Sequence, residues 1–115
     1  MRIGWCAAVG LAFAVAGAAA AAQSENSFND ALLNMTPRLR SARLANMVGY
    51  WCIGTRTFFM GVAGQGREAG FAYWSLSCLD SGSYAIQIDP SGQWVAIQCE
   101  QLAAQGLGRK CFKKF

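Results

Sequence analysis

The apolar positions of this chain change their spacing three times, and each change marks an element. From Ile3 to Ala22 there is no charge; bulky Ile3, Trp5, Val9, Leu11, Phe13 and Val15 give way to small residues from Gly17 to Ala22. Beyond polar Gln23-Ser24-Glu25-Asn26, the residues Phe28, Ala31, Leu32 and Met35 recur at i, i+3, i+4 and i+7, the spacing of one helix face. Ser27 with Asp30 three residues on is a weak capping box for that helix. Thr36-Pro37 then interrupts the pattern. Threonine is a good N-cap and proline suits the first helical position, so a second helical stretch is expected from there to Gly49. Leu44, Met47 and Val48 fall on one side of it, and Leu39, Arg43 and Asn46 on the other. The pattern leaves open one bent helix or two short ones.

Tyr50 to Gly70 is less regular. Tyr50-Trp51-Cys52-Ile53 and Thr57-Phe58-Phe59-Met60 are β-prone, whereas Gly61 to Gly70 carries four glycines and reads as a loop. From Phe71 the period becomes two. Trp74, Leu76 and Cys78 alternate with Tyr73, Ser75 and Ser77; Tyr84, Ile86 and Ile88 alternate with Ala85 and Gln87; Val95, Ile97 and Cys99 alternate with Trp94, Ala96 and Gln98. The turns between them are Asp80-Ser81-Gly82 and Asp89-Pro90-Ser91-Gly92, in which proline presets one dihedral and glycine accepts a positive one. Three alternating strands on short turns predict an antiparallel meander. Glu100 to Gln105 adds a short helix, stopped by Gly106 and Gly108, and a basic aromatic tail runs from Arg109 to Phe115. The predicted fold is therefore α+β. An N-terminal helix or two short helices pack on a small antiparallel β-meander, a short C-terminal helix follows, and two disulfides staple the whole.

The first 22 residues form a secretory leader: Arg2, then an apolar core, then Ala20-Ala21-Ala22 before a polar start. The rival reading is a retained membrane anchor. Against it, the strongly apolar run ends at Val15, too short for a span. Cleavage after Ala22 leaves residues 23–115 as one small domain, exported to the periplasm or secreted. Such a chain buries only about 60–65% of its unfolded surface, so cross-links matter to it. Cys52, Cys78, Cys99 and Cys111 remain after cleavage, an even set in an oxidising compartment. They lack the close C-x₂₋₄-C pairs of a zinc site, so disulfides are expected and no metal. In a meander Cys78 and Cys99 end strands two spacings apart, about 9.6 Å, beyond the roughly 7 Å that a disulfide tolerates. Of the two other pairings, Cys52–Cys78 with Cys99–Cys111 keeps the loops local and is favoured.

Charge and chemistry narrow the function. The residues after Ala22 carry nine Lys or Arg against six Asp or Glu, a spread-out +3 that argues no nucleic-acid partner. The chain has no histidine and no C-x-x-C, which removes the commonest general base, triad chemistry and a thioredoxin-like motif. Asp80 and Asp89 belong to turns, Asp30 and Glu100 to helix starts; Glu68, in the glycine loop, alone has no assigned structural task. No cofactor and no catalysis are expected. The loop Gly64-Gln65-Gly66-Arg67-Glu68-Ala69-Gly70 misses the G-x-G-x-x-G spacing of a phosphate cradle and reads as a connector, although loops often carry binding residues.

Two surfaces are candidates for contact. If Trp74, Leu76, Tyr84, Ile86, Val95 and Ile97 face inward, then Tyr73, Ala85 and Trp94 share the opposite face of the sheet. Tyr73 and Trp94, with Arg67 from the loop, then form a patch for another envelope or extracellular protein. The alternative is the tail, where Arg109, Lys110, Lys113 and Lys114 interleave with Phe112 and Phe115 and could touch a membrane surface or an acidic partner. Mass spectrometry of exported protein should find an N-terminus at Gln23 and a mass four hydrogens below the fully reduced chain. An intact leader or four free thiols would contradict this reading.

Overall fold

In the computed structural model, which describes residues 25–105 and 109–115, the helical stretch is two helices, α1 (Ser27–Leu33) and α2 (Pro37–Val48). The expected leader, with cleavage after Ala22, lies outside the described residues, as do Gly106 and Gly108. Asn26, not Ser27, caps α1: its side-chain oxygen accepts the N–H of Asn29 at 3.0 Å. Thr36 caps α2 by accepting from Leu39, and Pro37 takes the first helical position as expected. The joint between the helices is closed by Arg40. Its guanidinium donates to the carbonyls of Leu32, Leu33 and Met35, groups that the end of a helix leaves without intrahelical partners.

Four strands follow: β1 (Gly54–Val62), β2 (Ala72–Cys78), β3 (Gly82–Ile88) and β4 (Trp94–Gln98), then the short helix α3 (Cys99–Ala104). They form one antiparallel sheet in the order β1-β2-β3-β4. The expected meander is β2 to β4. The fourth strand, β1, was obscured in the sequence because its register slips twice against β2, between Gly54 and Arg56 and between Phe59 and Gly61, which breaks the period of two. It also takes in Gly61 and Val62, so the connector to β2 is shorter than the glycine pattern suggested and contains a 3₁₀ turn at Gly66–Glu68. Both other turns follow their chemistry. In the β3–β4 turn Asp89 accepts from Ser91 and Gln93, and Gly92 sits at φ +96°.

One face of the sheet packs on α1 and α2. Trp74, Leu76, Ile86 and Ile88 are buried there against Leu32, Leu44 and Ala45. The Trp74 indole N–H donates to Asn29 Oδ1 at 2.7 Å, and Arg40 lies 5.4 Å over its ring. Asn26, itself buried, donates to the carbonyls of Gly70 and Ile88, tying α1 to the entry of β2 and the end of β3, which lie side by side. On the rear face Met60, Tyr73, Ala85 and Leu102 form a second core, with Phe58, Phe71 and Cys111 packed around it. Residues 109–115 cross this face, and the Phe112 N–H donates to the buried Ser75 hydroxyl at 2.8 Å.

The two disulfides are Cys52–Cys78 and Cys99–Cys111, with Cα separations of 5.1 and 5.8 Å. The first fastens the α2–β1 connection to the end of β2; the second fastens the tail to the start of α3. In the chain-entropy account, closed loops of these sizes stabilise a fold by about 3 kcal/mol each.

Replacing Asn26 with alanine removes a helix cap, worth about 1 kcal/mol, and leaves two buried carbonyls short of a donor, at about 1–3 kcal/mol each. Urea unfolding of Asn26→Ala should show a loss of about 3 kcal/mol or more, whereas Ser27→Ala, at the position the sequence suggested for the cap, should change stability by less than about 0.5 kcal/mol.

Candidate functional site

The rear face gathers the polar residues that the sequence left apart. Tyr73, on β2, is 2% exposed. Its hydroxyl donates to Glu68 Oε1 at 2.7 Å and accepts from Gln87 on β3 and from Arg109. Arg109 also pairs directly with Glu68. The guanidinium stands 4.6 Å from the Tyr73 ring centroid and 4.8 Å from that of Phe115. Phe115 meets Tyr73 edge-on at 5.2 Å, and its N–H donates to the Met60 carbonyl. Gly61 makes this approach possible: a Cβ there would lie 3.0 Å from the Phe115 ring.

Electrostatically this cluster is satisfied. The hydrogen bond from Arg109, then that from Tyr73, holds the Glu68 carboxyl below the ordinary glutamate range. Burial, followed by the bond to Glu68, pushes the Tyr73 phenol up, so it stays a neutral donor. Glu68 therefore has a structural task after all: it anchors the tail and the glycine loop to one another. Arg67 lies beside it, exposed, in the wall of an open cleft of about 270 Å³ with Gln65, Glu68 and Arg109.

Tyr73 and Trp94 do not share a face. The register pairs Ile86 with Ala96 and Ile88 with Trp94, so Trp94 and Ala96 lie on the helix face with Trp74, and Val95 and Ile97 lie on the rear face with Tyr73 and Ala85. The sequence reading put β4 in the opposite phase. It took the longer aliphatic side chains as the inward ones, although the turn geometry decides the matter. Trp94 is 50% exposed, and its indole N–H donates to the Met47 carbonyl at the end of α2. Tyr73 is withdrawn from any contact surface by the tail that covers it. The tail is itself engaged: Arg109, Phe112 and Phe115 have partners, Lys114 stands 4.8 Å over the Phe59 ring, and Lys110 and Lys113 face solvent.

The residues that the sequence reading missed are on the free edge of β4. In an antiparallel ladder alternate residues direct both backbone groups to one neighbour. Asp89 donates to Gln93, which sets the phase: Val95 and Ile97 bond toward β3, and Trp94 and Ala96 point away. Among the described residues those outward groups have no partner. Gln98, next in phase, has its N–H accepted by the Gln101 side chain. The opposite edge, β1, is guarded by two bulges, by Arg56 stacked on Phe112 and by the Phe115 bond to Met60. A signal for the open edge was present in the sequence: the last strand of a meander is an edge, and Trp94-Val95-Ala96-Ile97-Gln98 contains no charge and no proline. Among the described residues no three His, Cys, Asp or Glu side chains gather as a metal site, and no helix is long and apolar enough to cross a membrane.

Because the folded-state pKa of Glu68 is lowered, its contribution is present above the unfolded value, about 4.3, and is lost as the pH falls through the folded one. Thermal unfolding between about pH 6 and pH 3 should therefore show wild type losing more stability than Glu68→Gln. The pair is partly exposed, so the difference should be about 1 kcal/mol or less. Parallel pH profiles would contradict the assignment.

No protein-family model, no curated protein and no solved structure matches this chain, so its functional reading rests on the free β4 edge, the covered rear face and the charges around them.

Proposed function

We propose that this chain is an exported, non-catalytic binding module that engages another envelope or extracellular protein through the free edge of β4. The observation that carries this is the contrast between the two edges of the sheet. β1 carries the devices that block strand addition, whereas among the described residues β4 offers unpaired backbone groups at Trp94 and Ala96, beside the half-exposed side chains of Trp94 and Val95. A partner in extended conformation would continue the sheet there, with backbone hydrogen bonds for affinity and side-chain contacts for selectivity. The leader-like residues 1–22 and the two disulfides support export, since such bridges persist in oxidising compartments. The absence of histidine from the chain and the ion-paired state of Glu68 support binding over acid–base chemistry.

A second reading, attachment to an anionic membrane surface, has the exposed Lys110, Lys113 and Lys114 in its favour. Each is worth about 1 kcal/mol at such a surface, which gives only marginal attachment once Arg109 is committed to Glu68.

A photo-crosslinking residue placed at Val95 in the exported protein should yield a discrete adduct, and one at Thr55 on the guarded edge should not. Val95→Lys should abolish the partner's binding without lowering the unfolding midpoint by more than a degree or so. Equal labelling from both positions would overturn the proposal. So would salt-sensitive binding to anionic vesicles that is lost when the three lysines become glutamine.

A further inference from the structure

Where α1, α2 and the β3–β4 turn meet, the protein encloses a cavity of about 260 Å³. Phe28, Met35, Met47, Ile88 and Trp94 supply most of its wall, and Arg43 is the only charged residue on it. The cavity arises because two aromatic rings are committed elsewhere. Phe28 stacks on Gly92 so closely that a Cβ there would lie 2.6–2.9 Å from its ring, and so it covers the turn without filling the gap. Trp94 is held by its bond to the Met47 carbonyl. Both rings stay about half exposed, 48% and 50%, and Ile88 beneath them is 1% exposed. An apolar recess of this kind between exposed aromatic rings is where small ligands bind, and unbranched methionines let its walls adapt.

We infer that this cavity binds a small apolar carboxylate, its hydrocarbon body between Phe28 and Trp94 and its carboxylate paired with Arg43. The chemistry follows from the donors available. The Trp94 N–H is already taken by Met47, and no other charged side chain reaches the wall. Arg43 makes no hydrogen bond or ion pair among the described residues, so its guanidinium is free to form the planar, two-pronged pair that suits a carboxylate. A phosphate monoester, with close to two negative charges, would keep about one of them unmatched by the single cation on this wall. The volume lies below the roughly 300–1,000 Å³ of sites for drug-sized ligands, which fits the body of a medium-chain fatty acid or a simple aryl acid. The inference goes beyond the proposed protein contact: β4 uses the backbone of Trp94, and the cavity uses its side chain.

Octanoate is the probe, with octanol as its neutral counterpart, titrated into the disulfide-bonded exported protein and read by calorimetry and by NMR of the Trp94 indole. Octanoate should saturate at one per chain and shift the indole signal, and octanol should bind about tenfold more weakly, the loss of one charge-assisted pair. Arg43→Gln should bring octanoate down to the level of octanol and leave octanol unchanged. Ala31→Trp, which fills the cavity from an exposed helix position, should abolish both while the protein keeps its unfolding midpoint. No saturable binding, equal affinity for the two probes, or binding that survives Ala31→Trp would each overturn the inference. None of these outcomes bears on crosslinking at Val95, so the two proposals fail separately.

Discussion

Five consecutive residues of β2, Ala72 to Leu76, are buried, so the strand has neighbours on both of its faces. A sheet of four strands cannot cover itself. Each face must be closed by something else, and this small domain closes them differently. In front, α1 and α2 supply an apolar layer, organised by buried polar contacts: Asn26 reaches the ends of two sheet segments, Asn29 receives the Trp74 indole, and Arg40 finishes α1 while lying over the same ring. Behind, the cover among the described residues is α3 and the seven-residue tail. The rear cover therefore relies on anchors: a disulfide at Cys111, a hydrogen bond to Ser75 and the Arg109–Glu68 pair. Phe112 has a positive φ of 61°, a conformation that costs a residue with a side chain about 1–2 kcal/mol. Those anchors on either side of it hold the turn in place.

This arrangement explains which parts of the molecule were legible in the sequence. The helix pattern, the Thr36-Pro37 start, the Asp89-Pro90-Ser91-Gly92 turn and the period of β2 and β3 are local, and the structure follows them. The favoured disulfide pairing followed from strand spacing, which disfavours Cys78–Cys99, together with the preference for local loops. β1 was hidden because its two bulges erase the alternation on which strand recognition depends. The N-cap was displaced by one residue because Asn26 and Ser27 are both good caps, and only the reach of Asn26 to Gly70 and Ile88 distinguishes them. The phase of β4 and the burial of Tyr73 were illegible for a deeper reason. With both faces of the sheet covered, apolar side chains occur on both, and alternation no longer says which side is inward.

The candidate site divides in the same way. Arg67 and Glu68 are the only charges between Gly61 and Gly70, yet the partner that gives Glu68 its role lies 41 residues downstream, at Arg109. Pairing at that distance is a property of the fold. The open edge of β4, by contrast, follows from connectivity, since a meander must end somewhere. Its readable feature is a lack: no lysine, no proline and no bulge where other edges carry them. The apolar recess below Trp94 had no signal of its own, because it depends on Phe28 choosing the glycine of a turn over the space beside it.

The position of the rear cover along the chain has a consequence for the order of events in folding. All four strands precede Arg109, so on a chain emerging from its N-terminal side the sheet can pair completely while Tyr73, Met60 and Ala85 still lack their lid. Without residues 109–115 in place, Met60, Tyr73 and Ala85 would lack their cover and the Tyr73 phenol would lack Arg109. Closure needs no strand to unpair: residues 109–115 can cross the formed sheet, and the Cys99–Cys111 bond then closes a short loop. The two bridges accordingly serve different parts of the fold: Cys52–Cys78 joins segments that β1 and β2 bring together, and Cys99–Cys111 holds the cover over a face that would otherwise stand open.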